Sequence, residues 1–184
     1  MSVNLPNKLS MLRICLVPVM ILFMSLNQDI LWYLAAAVFM IASFTDYLDG
    51  HIARSQGLVT DLGRFLDPLA DKLLVLSAMI ALIPAGLMPA WLVVLVLARD
   101  LAMDGLRLAS MRQGKVLAAG KLGKIKTASQ MLYILVIMIL RMSATANVFM
   151  ILFTIWIAGI TVYSLIDYFR RHGHVLLDDS EGKA

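Results

Sequence analysis

Six apolar stretches follow one another along this chain, and they restrict its fold more than any other feature. They cover residues 14–26, 30–45, 73–88, 89–98, 128–140 and 148–166. Hydrophobic residues make up 61% of the sequence, and the mean hydropathy is +0.85. A soluble globular domain has a far more polar composition than this. The sequence therefore predicts an integral membrane protein.

Most of these stretches are shorter than the ~20 residues that a helix needs to cross a bilayer. They reach that length when the polar residues beside them continue the same helices. Turn-forming residues separate the stretches, among them Asn27, Gly86, Pro89, Gly114 and Asn147. We therefore expect an all-α, polytopic membrane protein with six transmembrane helices, forming a single domain over residues 1–171. A short polar cytoplasmic tail is expected over residues 172–184.

The N-terminal residues before the first apolar stretch mix leucines with basic side chains. Leu5, Leu9 and Leu12 alternate with Lys8 and Arg13. This mixture is typical of a short amphipathic segment at the membrane interface. We expect such a segment to lead into the first transmembrane helix.

Lysine and arginine are distributed unevenly between the two sides of the predicted bundle. If six helices alternate in direction, both termini and the connections after helices two and four share one side. That side holds or adjoins Lys8, Arg13, Arg54, Arg64, Lys72, Arg107, Arg112, Lys115, Lys121, Lys124, Lys126, Arg170, Arg171 and Lys183. Arg99 falls inside the fourth helix, and only Arg141 falls on the opposite side. The excess indicates the cytoplasmic face. It also explains the net charge of +4 without a nucleic-acid partner.

A cluster of acidic residues interrupts the apolar sequence. It contains Asp46, Asp49, Asp61, Asp67 and Asp71. On helices, Asp46 and Asp49 share one face, and so do Asp67 and Asp71. An uncompensated aspartate near the membrane core costs roughly 2.5 to 3.5 kcal/mol on insertion scales. Carboxylates without nitrogen or sulfur ligands suit Mg²⁺ or Mn²⁺, so the cluster predicts a divalent-metal site.

Small residues and an arginine follow the first aspartate pair. Gly50 costs about 1 kcal/mol relative to Ala in a helix interior, which a close neighbour would justify. Together with Ala53 it leaves room for a ligand beside the metals, and Arg54 can bind a phosphate. The alternative is that Gly50 and Ala53 only permit tight helix packing.

A second cluster is basic and lies on the cytoplasmic side. It contains Arg112, Lys115, Lys121, Lys124 and Lys126, with Arg107 just before it. One interpretation is a loop that attracts anionic lipid. However, Gly123 and Lys124 open the fifth predicted helix, where amide groups and lysines together favour a phosphate. Nearby Arg99, Asp100 and Asp104 are interpreted as structural residues that pair with one another or with the aspartate helices.

The acidic stretch has the pattern D-x-x-D-G-x-x-A-R-x8-G-x-x-x-D-x-x-x-D. In every position it resembles the signature of the CDP-alcohol phosphatidyltransferase family, membrane enzymes that join a CDP-activated lipid or alcohol to a second substrate. Residues 4–18, 66–72 and 105–130 are similar to its bacterial phosphatidylglycerophosphate synthase branch. One departure is Arg99-Asp100, where Arg-Glu is expected; it affects local hydrogen bonding.

The resemblance implies a role for each residue of the pattern. Asp46, Asp49 and Asp67 would ligate two Mg²⁺ or Mn²⁺ ions, and Asp71 would contact metal and act as the general base. The residues implied to hold the CDP-lipid are Gly50, Ala53, Arg54, Thr60, Asp61 and Gly63. The position of the basic cluster, rather than the resemblance, predicts the residues that bind the acceptor phosphate, which are Arg107, Arg112, Lys121, Lys124 and Lys126.

The resemblance also implies a reaction and a location. CDP-diacylglycerol and glycerol-3-phosphate would give phosphatidylglycerophosphate and CMP, at a site facing the cytoplasm in the bacterial inner membrane. A homodimer is expected. A cardiolipin synthase-type reaction with a lipid acceptor is the nearest alternative, and a basic pocket distinguishes a soluble phosphorylated acceptor from it. A divalent-cation transporter would place carboxylates at mid-membrane in symmetric halves, which the sequence does not show.

Overall fold

The computed structural model describes residues 5–26, 28–55, 61–112, 121–141 and 146–172, which form helices joined by short turns. For residues 5, 6, 47–55, 61, 62, 64, 65, 112, 121, 146 and 172 the description is limited to the backbone. The helices are α1 (Leu5–Ser25), α2 (Asp29–Ser55), α3 (Asp61–Leu82), α4 (Ala90–Arg112), α5 (Lys121–Leu140) and α6 (Ala146–His172). The predicted all-α fold of six helices is confirmed. The predicted tail lies outside the described residues from residue 173 onward.

Each helix extends beyond its apolar stretch into charged sequence, because most of the stretches alone are too short to cross a bilayer. α2 continues to Ser55 and so contains both Asp46 and Asp49, whereas α3 already begins at Asp61. Such extension keeps backbone groups hydrogen-bonded where water is scarce. Between α3 and α4, Gly86 has a φ of 71°, a left-handed conformation that glycine adopts at little cost.

Within the described residues, four helices are long and apolar enough to cross a membrane, over Asn7–Ser25, Asp29–Asp46, Leu122–Leu140 and Asn147–Arg171. α3 and α4 carry more charged residues, yet they too direct large apolar side chains outward. Leu73 and Ile80 of α3 are exposed, as are Val94 and Leu101 of α4. Hydrocarbon accommodates such surfaces without cost, so the chain is a multi-pass membrane protein.

The first helix turns one face toward α2 and α3 along its whole length. On this face lie Asn7, Ser10, Arg13, Val17, Met20 and Met24, all of them buried. Their spacing of three or four residues is that of one helix face. The amphipathic N-terminal segment is thus the beginning of α1, and its buried side is polar near the N-terminus and apolar further along. Leu12, by contrast, is exposed.

Candidate active site

A cavity of about 750 Å³ opens between α2, α3, α4 and α5. This volume is within the range of pockets that hold small molecules and cofactors. Its ionisable lining residues are Asp46, Asp67, Asp71, Lys72, Arg99, Asp100, Asp104, Arg107 and Lys124. Charges of both signs therefore meet in one cavity of a chain with membrane-spanning helices, where ionisable residues are functional by default.

The carboxylates predicted from the sequence come to this cavity from two helices. α2 supplies Asp46, and α3 supplies Asp67 and Asp71, four residues apart and so on one face. The side chains of Asp46 and Asp71 are 29% and 36% exposed. Asp49 follows Asp46 by one helical turn in α2, but its side chain lies outside the described set.

Two residues of α1 contact these carboxylates, and sequence reasoning did not assign either to the site. Nη1 of the fully buried Arg13 lies 2.9 Å from Oδ1 of Asp46 and 2.9 Å from Oδ1 of Asp71. Ser10 Oγ donates a hydrogen bond of 2.6 Å to Oδ1 of Asp67. The signal that could have revealed them is the three-residue spacing of Asn7, Ser10 and Arg13, which continues as the buried apolar face of α1.

The oxygen atoms of the site determine which kind of cation it suits. Among the described side chains, no three His, Cys, Asp or Glu residues are grouped closely enough to form a complete ligand set. The side chain of Asp49 is not among those described. The donors that reach the cavity from α2 and α3 are carboxylate oxygens, which are the ligands that Mg²⁺ and Mn²⁺ prefer. The type of ligand atom in this site therefore fits Mg²⁺ or Mn²⁺.

A buried ionic group forms the wall of the cavity between α4 and α5. Lys126 Nζ donates to both carboxylate oxygens of Asp100, at 2.8 and 2.9 Å. Arg99 Nη1 donates to the same carboxylate at 2.9 Å, and Arg99 Nε donates to Ser164 Oγ of α6 at 3.2 Å. The structural pairing expected for Arg99 and Asp100 is thus observed. Lys126, predicted as an acceptor ligand, is 1% exposed and directs its ammonium group to Asp100.

Two other residues predicted to bind the acceptor phosphate do line the cavity. Arg107 extends from α4, and the exposed Lys124 extends from the first turn of α5. Arg107 Nε is buried and has no hydrogen-bond partner within the described ranges. Lys72 of α3 forms an ion pair with Asp104 of α4 beside them. For Arg112 and Lys121 the structure gives helical backbone positions only.

The residues expected to hold the CDP-lipid flank the connection between α2 and α3. Gly50, Ala53 and Arg54 lie in the last turns of α2, described by their backbone. Asp61 and Gly63 lie in the first turn of α3, where Gly63 is buried. Thr60 lies outside the described residues. The acidic pattern therefore forms the end of one helix and the start of the next.

Comparison with known proteins identifies relatives of this chain. The family model described as CDP-alcohol phosphatidyltransferase matches residues 3–161. A Bacillus subtilis protein named CDP-diacylglycerol--glycerol-3-phosphate 3-phosphatidyltransferase is 46% identical over 143 residues, which cover 70% of this chain and 73% of the relative. A Rickettsia typhi protein of the same name is 36% identical over 171 residues, covering 91% and 96%. A Mycobacterium tuberculosis protein named probable phosphatidylglycerophosphate synthase is 37% identical over 175 residues, covering 91% and 81%.

Proposed function

This chain belongs to the CDP-alcohol phosphatidyltransferase family, and we propose that it transfers the phosphatidyl group of CDP-diacylglycerol to glycerol-3-phosphate. The products are phosphatidylglycerophosphate and CMP, so the chain is an enzyme of phospholipid biosynthesis. The names of its relatives support this reaction. The observation that carries the proposal is the single cavity that joins the aspartates of α2 and α3 to Arg107 and Lys124.

The carboxylates account for the first half of the reaction. The family is generally dependent on divalent cations, and we assign two Mg²⁺ or Mn²⁺ ions to Asp46, Asp49, Asp67 and Asp71. When bound, such ions neutralise a pyrophosphate and stabilise the departing phosphate. Asp46, Asp67 and Asp71 line the cavity from two helices, which are more rigid supports than loops.

Asp71 is assigned the second role of general base. Its carboxylate takes the proton from the acceptor hydroxyl, whose oxygen then bonds to the β-phosphorus of CDP-diacylglycerol. The bond from that phosphorus to the oxygen of CMP breaks, and CMP leaves. Asp71 lines the cavity and is partly exposed to it, as a residue that meets substrate must be.

The basic residues account for the choice of acceptor. Glycerol-3-phosphate carries a phosphate that needs charge-assisted donors. We assign this phosphate to Arg107 and Lys124, with Arg112 and Lys121 beside them. Lys126 is not assigned a contact with this phosphate, because its ammonium group pairs with Asp100.

The CDP-lipid is assigned to the junction of α2 and α3. Gly50, Ala53 and Gly63 leave space close to the backbone for the nucleotide. Arg54, Thr60 and Asp61 supply polar groups for cytidine and its phosphates. The exposed apolar surfaces of the surrounding helices allow the acyl chains to remain in the bilayer.

The proposed location is the bacterial inner membrane, with the cavity facing the cytoplasm. Arg141, the one basic residue expected on the far side, pairs with Asp29 and lies 4.4 Å from the centre of the Trp32 ring. That contact is at the start of α2, whereas Asp46 lies more than four turns further along the same helix. The charge asymmetry supports this orientation. A homodimer is proposed from the family alone.

An acceptor panel tests the proposal. Purified protein in Mg²⁺ buffer is incubated with CDP-diacylglycerol and, separately, glycerol-3-phosphate, phosphatidylglycerol, serine or inositol. Phosphatidylglycerophosphate formed only with glycerol-3-phosphate is the expected result. Cardiolipin formed from phosphatidylglycerol would replace the proposal with the lipid-acceptor alternative. Cation uptake into protein-containing vesicles without any transfer would favour a transporter.

A further inference from the structure

We propose that α1 is the positioning element of the reaction centre, and that Ser10 and Arg13 set its affinity for divalent cations. They do so by orienting Asp46, Asp67 and Asp71 from behind the cavity lining. The inference rests on the proposed function only in taking these carboxylates as metal ligands. It adds two residues that the acidic signature does not contain.

Arg13 links the two helices that carry the carboxylates. Its Nη1 contacts Oδ1 of Asp46 on α2 and Oδ1 of Asp71 on α3, both at 2.9 Å. Its Nε donates to the carbonyl oxygen of Ala42 at 3.2 Å, which fixes the plane of the guanidinium. One nitrogen of a planar guanidinium, held in place through Nε, therefore bridges two carboxylates that belong to different helices.

A general counter-charge would not need this arrangement. Arg13 is 0% exposed, and burying a guanidinium is costly unless its hydrogen bonds are well formed. A basic residue at the cavity surface would balance the acidic charge at lower cost. In this buried position Nε is held by the Ala42 carbonyl oxygen and Nη1 contacts one oxygen of each carboxylate, which is the arrangement that orienting a ligand requires.

Ser10 repeats the arrangement one turn earlier on the same face of α1. It is 0% exposed, and its Oγ donates to Oδ1 of Asp67 at 2.6 Å. Ser10 and Arg13 thus contact all three described carboxylates of the acidic pattern. Metal-ligating carboxylates are commonly held in this way by outer hydrogen bonds, whose loss typically costs about 10- to 100-fold in metal affinity or activity.

Mn²⁺ binding to the full-length purified protein, measured by electron paramagnetic resonance without substrates, tests the inference. We expect Arg13→Lys to weaken Mn²⁺ binding about 10- to 100-fold although it keeps the charge, because a lysine has no second nitrogen to anchor on Ala42 while the first bridges the two carboxylates. Ser10→Ala should weaken binding about 10-fold, and Ser10→Thr should restore it by retaining the hydroxyl. Lys8→Gln is the matched control, since it removes a positive charge from an exposed position of the same helix.

The outcomes separate positioning from charge balance. If Arg13 only balances charge, Arg13→Lys binds Mn²⁺ like wild type and Arg13→Gln binds it more tightly; either result overturns the inference. If the Arg13 variants fail to fold, Ser10→Ala provides an independent test. Folded Ser10→Ala that binds Mn²⁺ like wild type also overturns the inference. A wild type that binds Mn²⁺ but does not use glycerol-3-phosphate would reject the proposed acceptor, while weakened Mn²⁺ binding by the variants would still support the role of α1. Absence of Mn²⁺ binding by wild type would reject both the role of α1 and the assignment of the carboxylates as metal ligands.

Discussion

Lys126 of α5 donates hydrogen bonds to both carboxylate oxygens of Asp100 on α4, at 2.8 and 2.9 Å. The two side chains are 2% and 16% exposed, so the pair is largely removed from solvent. Lys124, two residues earlier, instead lines the cavity and is exposed. Two lysines of one short basic segment therefore face different environments, and their replacement should have different consequences.

Replacing Lys126 with Met should destabilise the protein, because it leaves the Asp100 carboxylate with one of its two buried cations. Removing one partner of a buried ion pair costs about 3 to 5 kcal/mol. Thermal unfolding of the detergent-solubilised protein measures the loss. Combining Lys126→Met with Asp100→Asn should recover part of it, since the residual carboxylate is then neutral. Normal thermal stability together with a raised KM for glycerol-3-phosphate would instead make Lys126 a direct acceptor ligand.

Replacing Lys124 or Arg107 with Ala should raise the KM for glycerol-3-phosphate and leave that for CDP-diacylglycerol nearly unchanged. Each charge-assisted contact is worth roughly 1.5 to 3 kcal/mol, which corresponds to about 10- to 150-fold in binding. Arg171→Ala is the control, because Arg171 is exposed and its ion pair in the described part of the chain is with Asp167 of the same helix. Steady-state kinetics with each substrate varied in turn provides the comparison.

A different outcome is expected if these residues only recruit anionic lipid. The variants would then lose activity in neutral detergent micelles and regain it when anionic lipid is added. An unchanged dependence on glycerol-3-phosphate in both variants would remove the proposed acceptor site and return attention to a lipid acceptor.

The six helices and the aspartate pairs could be predicted because both follow from local spacing. Apolar stretches of sufficient length require helices in a bilayer. Residues three or four apart on a helix share a face, so Asp67 and Asp71 had to point the same way. Their meeting with Asp46 followed from the short connection between α2 and α3.

The role of α1 could not be predicted in the same way, because it depends on which face of the helix is turned inward. Ser10 and Arg13 lie among leucines in a segment whose composition is equally typical of a membrane surface. Only the packing of α1 against α2 and α3 shows that these two side chains are buried and do not lie at the membrane surface. The separation of Lys124 from Lys126 was within reach of the sequence, since residues two apart do not share a helix face.

Asp67→Asn should abolish activity with little loss of folded protein. Removing one negative charge from a crowded cluster relieves repulsion between carboxylates, but it also weakens metal binding. Activity is measured across a titration of Mg²⁺ and Mn²⁺, and thermal unfolding reports the folded fraction. Full turnover by folded Asp67→Asn in metal-free buffer would contradict the assignment of Asp67 as a metal ligand.

Asp71→Asn should lower the rate at saturating substrate far more than it weakens the binding of CDP-diacylglycerol. The amide can still accept the hydrogen bond from Arg13 through its oxygen, but it cannot take the proton of the acceptor hydroxyl. Loss of general base catalysis typically costs about 100- to 10,000-fold in rate. The rate and the affinity for CDP-diacylglycerol are measured on the same preparation. Collapse of that affinity with the saturated rate preserved would leave Asp71 as a ligand only and assign the proton transfer to another group.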